Sequence, residues 1–351
     1  MSAPAIPHAS TAVTAFVGVA ENGPLNRAVH IQERDYERLF GPPTTDLGFA
    51  ANLFFTNGGA GAWIVRLAEM NSTAIETARR ALDSIPDLNL VALPGISDRG
   101  ILDAAATYCN ARRAFLIADC DRSAKTPDQM IAWTRDLNLQ HPESAAVYAP
   151  WLCPAGGKNV SGTLPPSGIM AGIYARSDAS RGVWIAPAGT EVPVKSVSLP
   201  LPPLSHGQFD ILNAAGINAI RNAPGFGLIP WGARTLAGDT SEYKYVPIRR
   251  LALFIERSID AGTKWAQFEP NHEPTWSLLR LSVGNFLEDL YRQGALMGSV
   301  PASSYFVRCD ATTTTQADIE AGRLNIVVGY APLRPAEFTI IRIQQIAAQP
   351  A

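Results

Sequence analysis

Asp119 and Asp121 form the strongest candidate for chemistry in this chain of 351 residues. They follow the apolar run Ala114-Phe115-Leu116-Ile117-Ala118, so a buried strand would deliver both carboxylates to its C-terminal end. Two carboxylates there could hold magnesium while one attacks a phosphoryl group, so a magnesium-dependent phosphatase is one reading. Against it, Ser123 stands where such phosphatases carry Thr or Val, and the pair lies far from the N-terminus. The plainer reading is a solvated loop and helix start after a buried strand.

The other patterns are fragments. Gly156-Gly157-Lys158 would need Gly at 152 and Ser or Thr at 159 to cradle phosphate, and the chain has Leu152 and Asn159. Gly225-Phe226-Gly227 lacks the third glycine of a dinucleotide loop. The histidines 8, 30, 141, 206 and 272 are scattered, and no serine sits in a Gly-x-Ser-x-Gly elbow. Cys109, Cys120, Cys153 and Cys309 are too widely spaced for a zinc site or a disulfide framework. No catalytic residue, metal or cofactor is therefore expected, and the chain does not read as an enzyme.

Composition agrees. Formal charge is -2, and the chain from residue 241 onward carries eleven basic and eleven acidic residues. No net field draws nucleic acid or an anionic membrane. The N-terminus lacks the basic start and apolar run of a signal peptide, and no apolar stretch is long enough to span a bilayer, so neither secretion by a leader nor membrane insertion is expected.

The elements that would position these residues alternate. Residues 11–19 and 62–67 read as buried strands, with a short strand at 29–31 and helices over 33–40 and 47–55. Helices over 73–84, 98–113 and 127–139 then alternate with strands at 88–93, 114–118 and 145–149. That pattern predicts an α/β fold with a mostly parallel sheet and helices on both faces. A helix follows near 166–175, and another over 210–219 after a Pro-rich crossing at 186–208. In the last third, helices over 249–259 and 274–291 precede strands at 324–330 and 338–346. Trp276, Leu279, Val283, Phe286, Leu287 and Leu290 form one apolar stripe on the longer helix.

The segment Leu164-Pro165-Pro166-Ser167-Gly168-Ile169-Met170-Ala171-Gly172-Ile173-Tyr174-Ala175-Arg176-Ser177-Asp178, continuing into Arg181-Gly182-Val183-Trp184, resembles the central signature of contractile tail sheath proteins. Further blocks share the resemblance: Thr11 to Pro24, Phe54-Phe55-Thr56-Asn57-Gly58-Gly59 with Trp63-Ile64-Val65-Arg66, Leu212 to Asn218, Trp231 to Leu236, and Val246 to Leu251 followed by Trp265 and Phe268-Glu269-Pro270-Asn271. Their order and spacing cover most of the chain. Many members open with a Pro-Gly-Val-Tyr strand, whereas here ten residues precede Thr11. A shortened arm, a late start or a specialised end ring would each produce that difference.

The resemblance implies a structural subunit that polymerises helically around an inner tube and contracts to drive it through a target envelope. It also implies an outer α/β domain, often described as subtilisin-like, over 21–240. A smaller inner α+β domain near the tube would cover 241–335, with an N-terminal strand at 1–20 packing on it and a strand arm at 336–351. Implied partners are other sheath subunits, the inner tube protein, and baseplate and tail-terminator proteins. Assembly would take place in the bacterial cytoplasm, into a virion tail or a released particle.

Two surfaces are expected to carry the contacts. Phe338, Thr339, Ile340, Ile341, Arg342, Ile343, Gln344 and Ile346 form an apolar terminal strand that must be paired, within its own domain or on a neighbour's sheet. Strand addition to a neighbour is favoured by the resemblance, with Val13, Phe16 and Val17 as further arm candidates. Lys244, Arg249, Arg250, Arg257 and Lys264 cluster around one helix and read either as an ion-paired face or as a face that meets an acidic tube.

Overall fold

The computed structural model describes residues 3–155, 162–200, 204–333 and 339–346, with His206 and the last eight described by backbone alone. The chain forms two compact units, residues 10–249 and residues 1–9 with 250–351.

Residues 10–249 build an eight-stranded sheet. Its strands are β1 (Thr14–Gly18), β2 (Ala28–Ile31), β3 (Ala62–Arg66), β4 (Leu90–Ala92), β5 (Phe115–Asp119), β6 (Ala145–Ala149), β9 (Ile217–Ala223) and β10 (Gly227–Trp231); β7 (Cys153–Pro154) and β8 (Val197–Ser198) pair separately. The order is β10-β9-β6-β5-β4-β1-β3-β2. The six inner strands are parallel, and each edge is closed by an antiparallel strand. This is the α/β fold with a mostly parallel sheet that the alternating elements predict.

Alternate side chains divide the sheet into two cores. Ala15, Val17, Val91, Leu116 and Val147 pack against α3 (Ala74–Asp83), α4 (Arg99–Ala111), α5 (Pro127–Leu137) and α7 (His206–Ala214). Phe16, Phe115 and Tyr148 face the other way. There they meet α2 (Asp46–Thr56), which follows α1 (Asp35–Phe40), and α6 (Pro166–Arg181). Phe16 lies edge-on to Phe54 at 5.4 Å, and Phe115 lies 6.4 Å from Tyr174.

One element expected in this unit is cut short. The helix expected over 210–219 stops at Ala214, because Gly216 turns at φ +81 and releases the chain into β9. Gly225 and Gly227, both at positive φ, make the β9–β10 turn. The free side of β10 is covered by a loop, with the Gly189 and Val194 amides donating to the Pro230 and Leu228 carbonyls at 2.9 and 2.7 Å. β2, at the opposite edge, is four residues long.

The second unit contains the rest of α8 (Val246–Gly262), α9 (Glu273–Arg292), short helices α10 (Pro301–Ser304) and α11 (Gln316–Glu320), and an antiparallel sheet ordered β11 (Tyr305–Arg308), β12 (Arg323–Tyr330), β13 (Thr339–Ile346). The expected stripe on α9, from Trp276 to Leu290, is buried. Residues 3–9 are part of this unit. Ile6 fills the notch left by Gly262, where a Cβ would come within 3.0 Å of it. The Ala9 amide donates to Ser258 Oγ at 3.0 Å, and the His8 ring stands edge-on to Phe254 and Phe286 with Nε2 3.1 Å from Asp289.

The expected boundaries at 20 and 240 therefore move. Residues 10–20 lie in the sheet unit, because β1 is an inner strand of its sheet, between β4 and β3. The second division falls at 249/250, within α8. A helix that continues through a boundary leaves no Pro- or Gly-rich linker to read.

Candidate functional site

The signature segment at 164–182 contains α6, and its chemistry is that of a seat. Pro166 opens the helix, where its missing N–H costs nothing. Asp119, at the end of β5, then caps it. The Ser167 amide and hydroxyl donate to the Asp119 carboxylate at 2.6 and 2.9 Å, and the Gly95 amide adds a third bond at 3.0 Å. A carboxylate at a helix N-terminus is electrostatically favoured. Burial nevertheless dominates: Asp119 is 1% exposed and its pKa is pushed up to about 7, with the three hydrogen bonds pulling the other way.

The two carboxylates of the alternative phosphatase reading face different partners. Asp119 points inward with both oxygens engaged, leaving no open face for magnesium or a phosphoryl group. The Asp121 carboxylate accepts the Ser123 amide at 2.8 Å in a tight turn. Among the described residues no cluster of His, Cys, Asp and Glu could hold a metal ion. The Gly-Gly-Lys fragment at 156–158 lies outside the described residues. The four thiols are free, and burial pushes those of Cys120 and Cys309 up to about 12.

One turn into α6, Gly168 and Gly172 place backbone on backbone. A Cβ on Gly168 would fall within 3.0 Å of the Ala50 carbonyl and Cα. One on Gly172 would do the same to the Phe54 carbonyl. The four-residue interval puts both glycines on one helix face, so α6 crosses α2 at van der Waals contact of their main chains. Farther along, Tyr174 and Tyr148 share a hydrogen bond of 2.7 Å under the sheet. Arg176 donates to the Pro193 carbonyl at 2.9 Å.

The other blocks prove to be halves of joints. Arg66 donates to the carbonyls of Ala20, Glu21 and Gly23 at 2.8–3.0 Å, so the Trp63–Arg66 block clamps the turn that ends the Thr11–Pro24 block. Asn57 closes α2 through the Leu53 carbonyl and accepts the Lys195 amide at 2.9 Å. Asn218 bonds the Val147 and Arg234 carbonyls and accepts the Arg234 amide at 2.7 Å, joining the blocks at 212–218 and 231–236. Asn271 accepts from Trp276 Nε1 at 2.7 Å and donates to the Arg323 carbonyl at 2.8 Å. Each motif thus supplies one side of a polar contact, most of them part-buried, that reaches another segment of the chain.

Arg249 belongs to the same class. It is buried, and Nη2 donates to Asn110 Oδ1 at 2.9 Å and Ser144 Oγ at 3.3 Å while its guanidinium faces Tyr243. Arg250 is 3% exposed. Both guanidinium groups are buried in the chain, Arg249 against Asn110 and Ser144, so neither offers the exposed charge that a tube-facing role needs. Lys244 pairs with Asp239 at 2.7 Å, Arg257 is half-buried and Lys264 is exposed.

The arm candidates also separate. Phe16 and Val17 are fully buried in β1, which is paired on both sides by β3 and β4 and has no edge to offer. The Val13 carbonyl accepts the Asn89 and Leu90 amides just before that strand. These three are core and sheet positions, not arm positions. β13 pairs along its length with β12 of the same chain, from Thr339 opposite Tyr330 to Ile346 opposite Arg323. It is then an edge strand, with one side unpaired among the described residues. Phe338 and the side chains of 339–346 lie outside the described residues.

Comparison with known proteins follows this geometry. The family model for the phage tail sheath C-terminal domain matches residues 239–346. A chain of the PVC sheath complex, an extracellular contractile injection system in its contracted state, is 31% identical, with a TM-score of 0.82 over 98% of this chain and 95% of that one. A chain of the anti-feeding prophage baseplate is 31% identical, with a TM-score of 0.77 over 98% and 96%. A putative prophage major tail sheath protein of Pseudomonas aeruginosa is 26% identical over 190 residues, 53% of this chain. The alignments to the curated relatives span only 25% to 47% of those proteins' lengths.

Proposed function

This chain belongs to the contractile tail sheath family, and from that premise we propose that it polymerises helically around an inner tube and contracts to drive the tube through a target envelope. The observation that carries this reading is the near full-length likeness to a chain of a contracted sheath. The fold suits the task. Hydrogen-bonded joints between remote segments, and helices touching through glycine, make residues 10–249 a body that moves as a unit. Energy is stored when the extended lattice assembles and is released by subunit rotation, so neither nucleotide nor metal is required and the chain works as a structural protein.

In this reading residues 10–249 form the outer domain and the C-terminal unit lies toward the tube. The partners are further copies, the tube protein, and baseplate and terminator proteins. Assembly takes place in the bacterial cytoplasm. Among the described residues no helix is long and apolar enough to cross a membrane. The unpaired side of β13 is the proposed joint: a neighbour's strand added there makes a heterologous contact, which propagates into rings or helices. Lys264 is the exposed member of the basic group left for the tube.

Negative-stain electron microscopy of the protein co-expressed with its tube protein tests the reading; hollow striated cylinders are expected. Removing residues 337–351 should abolish the cylinders while residues 10–249 keep their cooperative thermal transition. Normal cylinders from the truncated chain would remove β13 as the joint. The likeness to a baseplate chain favours a second position, a specialised ring at the baseplate end. Copy number per particle separates ring from trunk. A phosphatase assay with and without EDTA is expected to be blank in both.

A further inference from the structure

A cleft of about 240 Å³ opens beside the C-terminal end of α7, lined by Arg135, Arg234, Lys244 and Asp239 with Gly216 and Gly238 in its wall. Three cations converge on it, and Asp239 is the only acid among the lining residues. One carboxylate oxygen serves two of them: Asp239 Oδ1 lies 2.9 Å from Arg234 Nη1 and 2.7 Å from Lys244 Nζ. Arg135, exposed at the rim, has no ion-pair partner among the described residues. Arg234 Nε is buried with no hydrogen-bond acceptor, a donor that proteins rarely leave unmet. Asp239 itself is mostly exposed and follows Gly238, which sits at φ +75.

The geometry points to a binding site for a free multivalent oxyanion of the phosphate class, held by Arg135, Arg234 and Lys244, with Asp239 as the internal anion that occupies it in the free chain. Three cations against one carboxylate leave an excess of two, which favours a multivalent anion. Arginine's fork of donors matches tetrahedral oxyanions, and Arg234 has an N–H to spare. The end of α7 that borders the cleft is the negative end of its dipole, so side chains must supply the attraction. Asp239 competes for the same donors. It is held well below the usual carboxylate range by the Lys244 ammonium and then by Arg234, which makes it a charged competitor at neutral pH. The inference is independent of the sheath reading.

The test is calorimetric titration of the full chain with inorganic phosphate at neutral pH, against chloride of equal ionic strength. One phosphate per chain is expected. Asp239→Asn, which removes the competitor, should bind at least tenfold more tightly than the parent. Arg135→Ala or Lys244→Gln introduced into that variant should weaken binding tenfold or more. Absence of one-to-one binding to folded Asp239→Asn would overturn the proposal. So would binding that survives both cation substitutions, which would mark the ion as adventitious only.

Discussion

Gly168→Ala is expected to destabilise residues 10–249 by about 3 kcal/mol, read as a shift of the urea midpoint at unchanged slope. The added methyl would overlap the Ala50 carbonyl and Cα, which are main chain and cannot rotate away. The helices must separate, and separation would strain the Asp119–Ser167 cap one residue before the contact. The gain of up to about 1 kcal/mol that alanine offers a helix interior does not offset this. Gly284→Ala supplies the contrast, since a Cβ there meets nothing within 4 Å. It should leave stability unchanged or raise it by up to about 1 kcal/mol. Equal effects at the two positions would show that helix propensity, not main-chain contact, sets the requirement for glycine.

Asp119→Ala should cost about 3 kcal/mol or more, because the Ser167 and Gly95 amides would lose their acceptor inside the protein. The pH dependence of the parent carries the sharper information. With a folded pKa of about 7 against an ordinary aspartate value of 3.8, native Asp119 keeps a proton that the unfolded chain releases between those values. Its contribution is therefore complete below about pH 4 and is lost as pH rises through 7. The difference between parent and Asp119→Asn should fall across that interval by up to about 4 kcal/mol, then level off. A difference that grows with pH would mean that the three donors hold the carboxylate ionised and outweigh burial.

β3, β4 and β5 are legible because each is a short apolar run followed by a helix of ordinary length. The α9 stripe was legible for the same reason: periodicity records burial directly. Charge does not. Arg249 and Arg250 look like surface in sequence, and only Asn110 and Ser144, more than a hundred residues earlier, reveal why Arg249 is inside. Asp119 is adjacent to Asp121 in sequence, but in space its partner is Ser167, 48 residues on. β9 and β10 were missed because Gly216, Gly225 and Gly227 mark turns whose type depends on a backbone sign that the residue letters do not carry.

The closed edges of the eight-stranded sheet have a meaning for a protein that exists as many copies side by side. At lattice density every exposed strand edge competes to template its neighbour, and a mistaken pairing would lock a subunit out of register. Here the larger sheet withdraws from that competition, with a four-residue strand at one side and the Gly189–Val194 loop bonded over the other. Among the described residues the longest edge strand left is the eight-residue β13. In the proposed assembly, error is limited by the scarcity of places where a strand can be added, and the choice of joint would be made before any two subunits meet.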